Sequence, residues 1–110
     1  MKDGIYHVRF FSNMQDMGEG IAVFQGASVN GGDGGYTYSG RKQGNDQGFT
    51  ATLTIKRWNT AWQSVFGPLD EFQLQFQGKP DAAGFDAEGS IVGQPEARIT
   101  ARGQFLFPAS

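Results

Sequence analysis

The chain has 110 residues, among them ten phenylalanines, three tyrosines, two tryptophans and no cysteine, and its formal net charge is −2. A single domain over residues 1–110 hides roughly 65% of its unfolded surface, and this aromatic content builds a core without staples. The missing cysteine excludes disulfides, thiol nucleophiles and thiolate metal sites, and the interspersed charges leave no basic stripe for nucleic acid.

Seventeen glycines, with no Gly-X-Y period, mark turns, bulges and curved strands. The opening Met1-Lys2-Asp3-Gly4 runs straight into apolar residues. It shows no cationic leader, and no apolar run reaches the ~18 residues of a membrane span. A cytoplasmic address, away from membranes, is the default expectation.

Gly4 to Ser12 reads as a first strand, with Tyr6, Val8 and Phe10 on one face and Ile5, His7, Arg9 and Phe11 on the other. Bulk on both faces predicts one face in the core and the other against a partner. A polar loop over Asn13 to Met17 leads to a second strand from Gly18 to Phe24, and a turn at Gln25-Gly26-Ala27 to a short strand over Ser28-Val29-Asn30. Gly31-Gly32-Asp33-Gly34-Gly35 is too glycine-rich for a strand interior, so it reads as the turn that re-aims the chain into a strand from Tyr36 to Arg41.

Lys42 to Gly48 is the most hydrophilic connection and the expected hairpin tip. Phe49 to Trp58 alternates Phe49, Ala51, Leu53 and Ile55 with Thr50, Thr52, Thr54 and Lys56, the pattern of a half-buried strand. Asn59 to Gly67 breaks that period. An Asn59 or Thr60 cap, apolar Ala61, Trp62, Val65 and Phe66 at helical spacing and the Gly67-Pro68 stop predict a short helix over one barrel end. Phe72, Leu74 and Phe76 then alternate with glutamines, and Phe85 to Val92 places Asp86, Glu88 and Ser90 outward. In the last strand, Ala97 to Phe107, the expected inward set is Ile99, Ala101, Gly103, Phe105 and Phe107.

Short connections imply antiparallel neighbours, and a meander of about eight strands leaves two open edges unless its first and last strands meet. The expected fold is therefore all-β, an eight-stranded antiparallel up-and-down barrel with one short helix near residues 59–67. Such a barrel is filled by side chains or holds one small ligand. Inward Ala51, Ala87, Gly89, Ala101 and Gly103 fit either outcome.

Catalytic chemistry finds little support in these residues. His7, the single histidine, lacks a nucleophile and an orienting group at motif spacing, and reads as a surface or interface residue. Gly18-Glu19-Gly20 and Gly32-Asp33-Gly34 are followed by no helix, so neither makes a phosphate loop. Asp33 reads as a turn former, without the Asp-x-Asp spacing of a calcium loop. Asp86 and Glu88 share a strand face, where Arg98 or Arg102 can answer them. No catalytic, cofactor or metal residue is assigned, and Trp58 is favoured as an interface aromatic.

Taken together, Met1-Lys2-Asp3-Gly4-Ile5-Tyr6, Phe11-Ser12-Asn13, Gly18-Glu19-Gly20-Ile21, the span from Asn30-Gly31-Gly32-Asp33 to Tyr38-Ser39-Gly40, and Arg57-Trp58-Asn59 ahead of Ser64-Val65 resemble the GrlR family of type III secretion negative regulators. The likeness runs in order over about the first two-thirds of the chain. It implies a lipocalin-like barrel, a homodimer, and a non-enzymatic role in which a transcriptional activator is held in an inactive complex. In the family's best-known member, an acidic Glu-Asp-Glu-Asp run after the Tyr-x-Gly piece contacts the activator. Here Gly44-Asn45-Asp46-Gln47-Gly48 stands in its place, so the fold is expected to transfer further than the partner. The residues expected at the partner contact are Asn45, Asp46 and Gln47, and those expected at the dimer contact are His7, Arg9, Phe11 and Trp58. The alternative expectation is a barrel that binds a small apolar ligand or lipid.

Overall fold

Eight strands follow one another in simple order in a computed structural model that describes residues 1–13, 17–61 and 70–109. They are β1 (Gly4–Ser12), β2 (Met17–Gln25), β3 (Ser28–Gly32), β4 (Tyr36–Asn45), β5 (Gly48–Arg57), β6 (Glu71–Pro80), β7 (Gly84–Ile91) and β8 (Gln94–Phe107). Each pairs antiparallel with the next, and β8 returns to pair with β1, which closes the barrel. Closure removes both edges of the meander, so no strand is left as a template for aggregation.

Alternation in the sequence sets which side chains enter. Tyr6, Val8, Ala22, Phe24, Val29, Tyr36, Tyr38, Phe49, Ala51, Leu53, Ile55, Leu74, Phe76, Phe85, Ala87, Ile91, Ala97, Ile99 and Ala101 form one buried cluster. Its densest part is aromatic. Phe85 stands edge-on to Phe24 and Phe49, with centroids 5.4 and 5.7 Å away, and Tyr6 packs against Phe24 and Phe105 at 5.1 and 5.4 Å. These are the separations at which ring quadrupoles attract.

Small residues make room for those rings. A Cβ at Gly103 would enter the Phe85 ring, and one at Gly78 would enter the Phe49 ring. Gly40 serves a different purpose, since a Cβ there would collide with the Thr52 carbonyl on the next strand. Glycine lets the sheet coil sharply at such a corner.

Several sequence expectations change at element ends. Gly31 and Gly32 belong to β3, so the turn is confined to Asp33–Gly35. The strand expected to stop at Arg41 continues to Asn45, because Lys42 to Asn45 finds partners along Gly48 to Ala51. The hairpin tip expected over Lys42 to Gly48 is therefore confined to a tight turn at Asp46-Gln47. Phe107, expected inward, is 65% exposed. The register between β1 and β8 slips between Ile5 and Tyr6, which inserts an extra residue and turns the end of β8 outward.

There is no helix among the described residues. Of the short helix expected near 59–67, only a turn at Thr60-Ala61 is described, where the Ala61 amide donates to the Asn59 side chain at 3.1 Å. Residues 62–67, including Trp62, lie outside the described residues.

Candidate functional site

Among the described residues, exposed large apolar side chains gather on the outer face of β8, β1 and β2, with Trp58 and Val92 exposed elsewhere. Antiparallel register brings directly opposed residues onto one face. Phe107 of β8 faces Ile5 of β1, Ile5 faces Val23 of β2, and His7 faces Ile21. Ile21, Leu106 and Phe107 are 40%, 49% and 65% exposed. The patch thus runs across β8, β1 and β2, and the register slip that turned Phe107 outward completes it.

Charged groups rim this apolar ground. The His7 Nε2 lies 3.1 Å from the Glu19 carboxylate. Arg9 faces Glu19 on one side and Arg102 on the other. Arg102 is engaged elsewhere, at 2.5 Å from Asp81 and 3.3 Å from Asp86. Its hydrogen bond is the largest influence holding the Asp81 carboxyl below the usual carboxylate range. Of the two outward carboxylates on β7, Arg102 therefore answers Asp86, and among the described residues Glu88 has no ion-pair partner.

Four residues were expected at a dimer contact. His7 and Arg9 lie beside the apolar patch, while Phe11 sits further along β1 and is 43% exposed. Trp58 follows β5, four strands around the barrel from β1, so the structure does not bring it to the same surface. It is 60% exposed, yet held firmly. Its indole N–H donates to the Asp33 carbonyl at 3.2 Å, and its amide donates to Gly35 at 2.9 Å.

That socket is the Asp33 turn. The Asp33 carboxylate accepts from the Gly35 and Tyr36 amides at 2.8 Å each and from the Tyr38 hydroxyl at 2.5 Å. Burial first, and then the bond to Asp33, push the Tyr38 phenol far above its ordinary value. The Asp33 carboxylate is employed in holding two backbone amides and the Tyr38 hydroxyl. Asp33 is a turn former, as its setting among glycines suggested.

The residues expected at a partner contact cluster at the other barrel end. The Asn45 side chain accepts from the Gln47 amide at 2.8 Å, which fixes the two-residue turn. Asp46 is 93% exposed and reaches the Met1 ammonium at 2.5 Å, an interaction that lowers its pKa. The only acidic residue of this turn is thus committed to the chain's own first residue.

Inside the barrel, packing leaves a void of about 30 Å³ lined by apolar side chains, Phe24, Tyr38, Leu53 and Phe76 among them. A cavity of that size is near the room needed by one water molecule. On the outside, a groove of about 950 Å³ crosses the strands past Phe11, Thr50, Gln77, Glu88 and Thr100. Among the described residues no group of three or more metal-ligating side chains occurs, and no helix long and apolar enough to cross a membrane.

The strands and their packing define a small, closed and filled β-barrel. The GrlR model, described as a type III secretion system negative regulator, matches residues 1–107. The chain belongs to the GrlR family. No curated protein matches it.

Proposed function

We propose that the chain is a non-enzymatic cytoplasmic regulator that lowers type III secretion by protein–protein contact, holding a transcriptional activator in an inactive complex. In this reading it works as a homodimer. The observation that carries it is the outward apolar patch of Ile5, Ile21, Val23, Leu106 and Phe107 across β8, β1 and β2. Contiguous exposed apolar ground marks interaction surfaces, and its rim of Arg9, Glu19 and His7 suits a self-complementary twofold contact. Phe11 extends the same face of β1, and the firmly held Trp58 is a preorganised aromatic for a separate contact.

For the activator, the contact is assigned to the exposed turn of Asn45, Asp46 and Gln47, where the family's acidic run is replaced. Membership of the family supports regulation, and the closed meander supports a lipocalin-like description. The 30 Å³ void weighs against the alternative of a small apolar ligand or lipid in the barrel.

Two measurements test the reading. Light scattering at tens of micromolar is expected to give twice the chain mass, and a strictly monomeric mass rejects the dimer. A transcriptional reporter for secretion genes is expected to fall when the protein is supplied in excess, and an unchanged reporter rejects the regulatory role.

A further inference from the structure

We propose that the β5–β6 hairpin is the segment through which this chain assembles with further copies of itself, strand stacked on strand, once the barrel opens along the β6–β7 seam. The proposed dimer is a separate matter, since its face lies on β8, β1 and β2, across the barrel from β5. Phe72 to Gln77 reads Phe-Gln-Leu-Gln-Phe-Gln, and Phe49 to Ile55 reads Phe-Thr-Ala-Thr-Leu-Thr-Ile. Neither run holds a charge, a proline or a glycine. Runs of six or seven residues with that composition and high β-propensity stack in register as cross-β. The uncharged run in β2, Ile21 to Gln25, is shorter and enclosed by Gly20 and Gly26.

The native sheet already pairs the two runs with each other. Thr50, Thr52 and Thr54 stand opposite Gln77, Gln75 and Gln73, so the outer face is a neutral field of hydroxyls and amides. Glutamine ladders add hydrogen bonds along such a stack. On the inner face Ala51, Leu53, Ile55, Leu74 and Phe76 are buried, and in a stack they supply the dry contact between sheets. Charge appears only at the limits, as Lys56 opposite Glu71 at one end and Lys79 past Gly78 at the other. Lysines guard strands against such pairing, and the stretch between these two has none. In the closed barrel, β4 and β7 occupy the hairpin's two outer edges. The β4–β5 ladder runs unbroken from Tyr36↔Arg57 to Asn45↔Gly48. The β6–β7 ladder is the weaker guard, running only from Leu74↔Ile91 to Pro80↔Phe85, and at Ile91 the register with β8 slips. Irregular pairing lowers the cost of local opening, and opening there bares the β6 edge and the apolar inner face together.

Agitation of the full chain in urea below its unfolding midpoint, with thioflavin T as the probe, tests the proposal. Fibrils with a repeat of about 4.8 Å are expected, and hydrogen exchange is expected to protect residues 49–55 and 72–77 within them. Gln75→Lys places a like charge in every layer, and is expected to lengthen the lag by about fivefold or more. Gln43→Lys makes the same change at an exposed position of β4, and is expected to leave the lag as in the parent. Urea midpoints of the three proteins show whether a longer lag comes from a stronger barrel, in which case the exchange map decides. The absence of fibrils, or protection centred on another strand such as β2, overturns the proposal. So does a lag in Gln75→Lys equal to that of the parent, or an equal delay in Gln43→Lys.

Discussion

Asp33 shows how much one side chain can organise. Its carboxylate ties two amides and a phenol, and the carbonyls of Asp33, Gly34 and Gly35 accept from Trp58 and Asn59. The turn therefore anchors both the start of β4 and the chain leaving β5. Removing the phenol hydroxyl in Tyr38→Phe deprives a part-buried carboxylate of one donor, at an expected cost of about 1 kcal/mol in urea unfolding at pH 7. Alkali should reveal the same bond. The Tyr38 phenol is held protonated above its ordinary 10.0, so its contribution is complete below that value and declines as pH climbs beyond it. Between pH 8 and 10.5 the parent protein should lose more stability than Tyr38→Phe. Equal losses would show that other groups govern alkaline unfolding. The role of Asp33 was legible in the sequence because aspartate among glycines favours a turn for local reasons. Its reach to Trp58 was not, since 25 residues separate the partners and only the closed sheet joins them.

At the scale of elements, alternation carried most of the information. The inward set of β5, Phe49, Ala51, Leu53 and Ile55, follows from period two alone, and all four are buried. Hydrophilicity misled at the β4–β5 connection. Lys42, Gln43 and Asn45 look like loop residues, but a strand needs only backbone partners where its side chains face water, and β5 supplies them. The glycines facing aromatic rings make a second test. Gly103→Val forces atoms into the space of the Phe85 ring, and overpacking of this kind is expected to cost about 1–3 kcal/mol. A denaturation midpoint equal to that of the parent would mean that the ring has somewhere else to go. At the Asp46-Gln47 turn, Asp46→Ala releases the Met1 ammonium without touching the ladder. It should leave stability nearly unchanged while weakening activator binding in a titration. Unaltered binding would move the activator contact off this turn.

Across the whole molecule, the closed barrel follows from many short, regular elements, and so was readable in advance. The apolar patch was only half readable. His7 and Arg9 were picked out because β1 carries bulk on both faces, yet Phe107 was assigned to the interior. One inserted residue at the β1–β8 seam reverses its side, and alternation cannot register an irregularity set by a strand about a hundred positions away. Phe107→Ser should therefore lower the dimer fraction in sedimentation velocity by about tenfold or more, as hot-spot truncations do, with thermal unfolding little changed. A large loss of stability with an intact dimer would return Phe107 to the core. The seam also has a kinetic meaning. Seven of the eight pairings join neighbours in sequence and can form as local hairpins, whereas β1–β8 must close a loop of nearly the whole chain. Contacts of such long separation are won last, after the entropy of closure has been met. Until then β1 waits with one bare edge and an uncovered apolar face, so the lifetime of that open intermediate, more than the strength of the finished barrel, sets how readily the newly made chain aggregates.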